Sequence, residues 1–96
     1  MTDTKETVLD EAKRLVYGDR EGDYGHPRED FGCTAALWTE WLRRRGFLDV
    51  SLEPCDVAAM MVLLKVSREA HKSKRDNLVD MAGYVATWAR VIGEDE

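Results

Sequence analysis

Asp76 and Asp80 stand four residues apart in Arg75-Asp76-Asn77-Leu78-Val79-Asp80, and Asn77 and Asp80 stand three apart. On a helix these spacings set the side-chain oxygens on neighbouring positions of the first turns. Oxygens grouped in this way suit a hard divalent ion such as Mg²⁺. They also suit a plain helix start, with Asp76 as N-cap and Asp80 near the positive end of the macrodipole. Glu53 and Asp56 make a second pair, three apart around Pro54. Helical arithmetic turns Asp56 away from the polar stripe of Lys65, Glu69 and Lys72. A carboxylate aimed inward needs a partner or a metal, or else bonds to the free N–H groups of its own helix. Arg68 falls on the face of Val57, Met61 and Leu64, where an arginine either bridges to Asp56 or Asp80 or meets a phosphate. The run Lys65, Arg68, Lys72, Lys74 and Arg75 is opposed only by Glu69. It reads as a solvated charge run or as the phosphate side of a site beside the carboxylates.

A second group of candidates lies in the stretch Gly18-Asp19-Arg20 to Asp23-Tyr24-Gly25-His26-Pro27. Its glycines allow unusual backbone conformations, and Arg20, Tyr24 and His26 could together hold a phosphate or ribose and stack a base. The structural alternatives are Gly18 as a helix C-cap, Tyr24 as a lid on the core and His26 as an N-cap or a lone general base. Gly83 lies on the face of Asp76 and Asp80. A mid-helix glycine costs about 1 kcal/mol relative to alanine, so it marks either close helix packing or ligand approach. Cys33 and Cys55 belong to no CxxC or Cys/His cluster and read as reduced structural thiols. Nothing matches a nucleophile elbow, a Walker loop, a zinc site or a dinucleotide fingerprint.

Four helices must position these groups, at about residues 4–17, 28–45, 54–71 and 76–92. In the first, Asp3 and Glu6 have capping-box spacing, and Val8, Leu9, Ala12, Leu15 and Val16 share a stripe. Gly18 ends it, which leaves Gly18 to Pro27 as the longest loop. Pro27 and Pro54 suit first helical turns, where a missing N–H is no loss. The second helix places Phe31, Ala35, Trp38 and Leu42 on one face. The third is apolar nearly all round, which predicts central burial or a subunit interface. The fourth is expected to bury Leu78, Met81, Ala82, Val85, Trp88, Ala89 and Ile92, with Asp76, Asp80, Gly83, Thr87 and Arg90 opposite.

The 96 residues fit one all-α domain, a compact four-helix bundle with a thin core, expected to be completed by homo-oligomerisation. With 44% hydrophobic and 34% charged residues the chain should fold. No apolar run approaches the roughly 20 residues of a membrane span, and no signal peptide is evident. The expectation is a cytoplasmic protein. A net charge of −5 disfavours duplex nucleic acid, whose binding needs cations along the phosphates.

Asp23-Tyr24-Gly25-His26-Pro27, Asp56-Val57-Ala58-Ala59-Met60-Met61 and Asp76-Asn77-Leu78-Val79-Asp80-Met81-Ala82-Gly83-Tyr84 resemble a group of short proteins encoded by actinobacterial phages and their hosts. The likeness covers almost the whole chain. More distantly, the layout resembles the all-α nucleoside triphosphate pyrophosphohydrolases of the MazG type, which bind Mg²⁺ through ExxE and ExxD. That resemblance implies hydrolysis of a nucleoside or deoxynucleoside triphosphate to monophosphate and pyrophosphate. Glu53, Asp56, Asp76, Asn77 and Asp80 would hold Mg²⁺, and Glu53, Asp56 and Asp80 would be catalytic. Lys65, Arg68, Lys72, Arg20, Tyr24 and His26 would contact the nucleotide. Two positions depart from the pattern, with Asp56 in place of glutamate and Asn77 in place of a carboxylate. A non-catalytic nucleotide-binding protein, or a small phage protein that docks on a host protein, are the alternatives.

Overall fold

The computed structural model describes residues 5–47 and 49–93, and among them every regular element is helical. Helix α1 is Val8–Arg14, capped by Thr7, whose hydroxyl accepts from Asp10 N at 3.0 Å while the Asp10 carboxylate accepts from Thr7 N. This box starts the helix four residues later than expected from Asp3 and Glu6. Glu6 is non-helical, and Asp3 lies outside the described residues. The Glu6 carboxylate instead takes two bonds from Arg14, at 2.9 and 3.1 Å.

The expected loop after Gly18 is helix. A π-helical turn, Leu15–Asp19, leads directly into α2, Arg20–Tyr24, and Arg20 N donates to Leu15 O five residues back. Gly18 and Gly22 keep ordinary negative φ, so neither uses its conformational freedom. Gly25 does, at φ 76°, and ends α2. The wide turn inserts an extra residue and so resets which side chains of α2 face inward. Arg20 is among them.

Helix α3, Pro27–Arg44, opens on the proline with His26 as N-cap, whose Nδ1 accepts from Arg28 N at 3.0 Å. Helix α4, Pro54–His71, has a reciprocal box between Glu53 and Asp56. Helix α5 is Arg75–Val91. Phe31, Ala35, Val57 and Ala58 form the core, with Trp38, Leu52, Met61, Tyr84 and Val91 packed against it. The Thr39 hydroxyl donates to Ala35 O at 2.7 Å and accepts from Leu52 N at 2.8 Å, tying the α3–α4 connection to α3.

Helices α4 and α5 run antiparallel, as the pairs Lys65–Asp80 and Glu69–Asn77 show. Helix α5 also packs on α1 and α3. Its orientation reverses the expected one: Asn77, Val79, Thr87 and Arg90 are buried, whereas Leu78, Val85, Trp88 and Ile92 are exposed. Arg90 reaches Glu21 at 2.6 Å and lies 4.7 Å from the Tyr17 ring centre, so the cation gains partners on the π turn and α2. Those partners exist only because residues 15–24 are helical. On α4, Met60, Leu63, Leu64 and Val66 are exposed as well, as are Leu37 and Trp41 on α3.

The axes measure 58 × 34 × 21 Å and the radius of gyration is 15.1 Å, against about 13 Å for a compact domain of this size. Among the described residues, no helix is long and apolar enough to cross a membrane.

Candidate functional site: a basic groove at the α4–α5 turn

The turn between α4 and α5 is built around Glu69. Its carboxylate accepts from the Ser73 hydroxyl at 2.6 Å, Lys74 N at 3.0 Å and Asn77 Nδ2 at 3.0 Å. The Ser73 bond, then those from Lys74 and Asn77, hold its pKa below the usual carboxylate range. Asn77 also donates to Lys72 O at 3.3 Å. An aspartate at this buried position could make neither bond and would set a second negative charge against Glu69. The amide at position 77 therefore follows from the architecture of the turn.

Beside the turn lies a groove of about 640 Å³, walled by Lys65, Arg68, His71, Lys72 and Lys74 and by Asp76, Asn77 and Asp80. Arg68 is exposed into it and makes no inward bridge to Asp56 or Asp80. Lys65 takes that place: its Nζ meets the Asp80 carboxylate at 2.7 Å, with only 14% of the lysine side chain exposed. The stripe of Lys65 and Glu69, expected to face solvent, is thus the seam of α4 against α5. Arg75 points the other way and binds the Glu11 carboxylate and Glu6 O, clasping α1 and the segment before it to the start of α5.

Asp80 also borders a smaller cavity of about 110 Å³, with Arg20, Tyr84, Gly83 and Thr87 in its wall. The Arg20 guanidinium lies 4.9 Å from the Tyr24 ring centre and 5.9 Å from that of Tyr84. Beyond these rings a further hollow of about 260 Å³ is lined by Phe31, Trp38, Met61, Asp30 and Thr34. A cation between two tyrosines, next to an aromatic hollow, offers stacking surfaces for a flat ring. Gly83 faces α1, where a Cβ would lie 3.4 Å from Val16 Cγ2, at the near limit of ordinary contact.

Of the residues named from sequence, Lys65, Arg68, Lys72, Asp76, Asn77 and Asp80 share the groove, and Arg20 and Tyr24 meet at the neighbouring cavities. His26 is engaged as the α3 N-cap. Glu53 and Asp56 are elsewhere: the Asp56 carboxylate accepts from Glu53 N at 2.7 Å at the start of α4. Asp56 precedes Lys65, the partner of Asp80, by nine residues, about 13 Å along the helix axis. Among the described residues, no group of three or more His, Cys, Asp or Glu side chains converges as an ion site. Glu53, Asp56, Asp76, Asn77 and Asp80 of one chain therefore do not fit a shared Mg²⁺. His71 and Tyr84 were missed by sequence reasoning. Tyr84 lies four residues beyond Asp80, the spacing that shares a helix face.

The chain is similar to the "Gene 55 protein" of Mycobacterium phage D29, with 39% identity over 90 residues, and to that of Mycobacterium phage L5, with 36% over 92. These alignments cover 93% and 94% of this chain but 56% of each relative, so it spans a little over half of their length. No solved structure matches it. A family model described as a domain of unknown function, DUF6378, matches residues 7–92, and the chain belongs to that family.

Proposed function

We propose that this chain binds a nucleotide or a similar phosphorylated small molecule, with its phosphates in the basic groove and its base against the Arg20–Tyr24–Tyr84 cluster. One observation carries the reading: Asp80 walls both the groove and the Arg20–Tyr84 cavity, so cations and aromatic surfaces adjoin. Arg68, His71, Lys72 and Lys74 supply donors that concentrate an anion despite the net charge of −5. Lys65 is committed to Asp80 and supports the wall.

Hydrolysis of a nucleoside triphosphate to monophosphate and pyrophosphate with Mg²⁺ is the finer proposal. It rests on the MazG-type resemblance and on Asp76 and Asp80 in the groove wall. No catalytic step is assigned through a metal, since one chain does not assemble the five donors.

Calorimetric titration with a panel of deoxynucleoside triphosphates, with and without Mg²⁺, tests the binding reading. Saturable binding is expected, weakened about tenfold or about 1.4 kcal/mol by Arg68→Ala. Arg44→Ala, an exposed arginine on α3 paired with Glu40, should leave it unchanged. Absence of binding across the panel overturns the reading. Pyrophosphate release in the same mixtures decides between a hydrolase and a binding protein.

A further inference from the structure

The seam between α4 and α5 continues past the basic groove. Because the two helices are antiparallel and Lys65 meets Asp80, Met61 and Tyr84 share a level one turn further from the α4–α5 turn, about 6 Å along the axis. Both line the hollow of about 260 Å³. Arg68, on the groove, lies seven residues beyond Met61 on the same helix, about 10 Å along it. Groove and hollow are therefore neighbours on one seam, with the Lys65–Asp80 pair between them. Pockets for whole small molecules run to roughly 300–1,000 Å³, so the hollow suits one flat ring system of a larger ligand.

Phe31, Trp38, Met61 and Tyr84 make the hollow apolar, and its polar groups are few. Thr34 gives its hydroxyl proton to Asp30 O at 3.2 Å, which leaves its oxygen to accept. Asp30 is half-buried, and its carboxylate has no hydrogen bond or ion pair among the described residues. A carboxylate set in an apolar wall calls for donors. Arg20 brings a cation to the same lining. A matching ligand edge offers two adjacent N–H donors and, beside them, an acceptor. Among the four DNA bases guanine alone has that edge, with its 2-amino group, N1–H and O6 in sequence. Adenine and cytosine set a ring-nitrogen acceptor beside the amine, where a carboxylate repels it, and thymine flanks a single N–H with two carbonyls. We propose that the base is guanine, seated in this hollow with N1–H and the 2-amino group donating to Asp30 and O6 accepting from Arg20. The inference rests on the nucleotide reading above and adds the identity of the base.

Calorimetric titration of the full chain with dGTP, dATP, dCTP, dTTP and dITP tests it. dGTP should bind at least about tenfold tighter than dATP, dCTP and dTTP, the scale of one bidentate base contact. dITP, which lacks the 2-amino group, should fall between. Asp30→Asn keeps the size of the side chain and turns one acceptor into a donor. It should weaken dGTP about tenfold or more and leave dATP unchanged or tighter, since an amide matches the amine and ring nitrogen of adenine. The wild-type ranking stands as a test even where circular dichroism shows that this variant has lost its helices. Equal binding of all bases, tighter binding of a base other than guanine, or a folded Asp30→Asn variant with the wild-type preference would each overturn the guanine assignment and leave the phosphate groove standing. Absence of binding by every nucleotide would overturn both readings.

Discussion

The two faces of α5 differ in a way opposite to the usual rule. The inner face is polar at Asn77, Asp80, Thr87 and Arg90, yet three of these four residues are buried. The outer face is apolar yet largely exposed. On the inner face the polar groups are specifically matched: Asn77 to Glu69, Asp80 to Lys65 and Arg90 to Glu21. A buried polar group survives when it has partners in place, and those partners fix the helix in one rotation and one register. The outer face is half-buried at Met81, Ala82 and Ala89 and open at Leu78, Val85, Trp88 and Ile92, where no such matched polar pair holds it.

A charge introduced on each face breaks the comparison most sharply. Val79 is 2% exposed and packs on the α1 side, so Val79→Asp should destabilise the fold by about 3 kcal/mol or more. Val85→Asp, six residues further on and on the outer face, should leave the unfolding free energy of the monomer within about 0.5 kcal/mol. Urea melts at the lowest practical concentration separate folding from association. Comparable losses at both positions would mean that α5 is rotated from the orientation described.

Glu21→Ala comes next. It removes a carboxylate from Arg90, whose side chain is only 6% exposed, and should cost about 2 kcal/mol. Glu21→Gln should recover part of that loss by accepting a hydrogen bond. If Glu21→Ala is neutral in melts, Tyr17 and the surrounding chain suffice for the buried guanidinium.

How far the sequence could lead is clearest on this same helix. The prolines at 27 and 54 placed the starts of α3 and α4 within a residue, because a ring that lacks N–H suits so few helical positions. The three- and four-residue spacing of Leu78 to Ile92 correctly grouped those side chains on one face. It could not say what covers that face, since periodicity is the same whether the partner is the rest of the chain or another copy. Matching Arg90 to Glu21 required knowing that residues 15–24 continue as helix, and Gly18, Gly22 and Gly25 together read as a loop. Only Gly25 acts as a breaker. At the groove, the basic run and the Asp76–Asp80 cluster were legible as neighbours. The place of Asp56 was not, because inward direction on a helix wheel says nothing of position along the axis.

The turn at Glu69 sharpens the comparison through pH. Its folded pKa is lowered by the Ser73, Lys74 and Asn77 bonds, so its contribution to stability is fully present above the unfolded value of 4.5. It is lost as pH falls through the lower folded value. Wild type and Glu69→Ala should therefore differ in thermal midpoint at pH 7, and the difference should shrink as pH falls from 4.5 through the lower folded value. A difference that persists into acid would assign the effect to packing of the side chain and not to its charge.

The smallest expected change is Gly83→Ala. Alanine gains about 0.8–1 kcal/mol of helix propensity over glycine. Against that stands one methyl contact, 3.4 Å from Val16 Cγ2, at the near limit of ordinary van der Waals approach. The net effect should be a stabilisation of at most about 1 kcal/mol, whereas Gly83→Leu must push α1 off α5 and should destabilise. If Gly83→Ala instead impairs nucleotide binding without changing stability, the added methyl has intruded on the Arg20–Tyr84 cavity that Gly83 lines. Glycine at position 83 would then serve the ligand and not the α1–α5 contact.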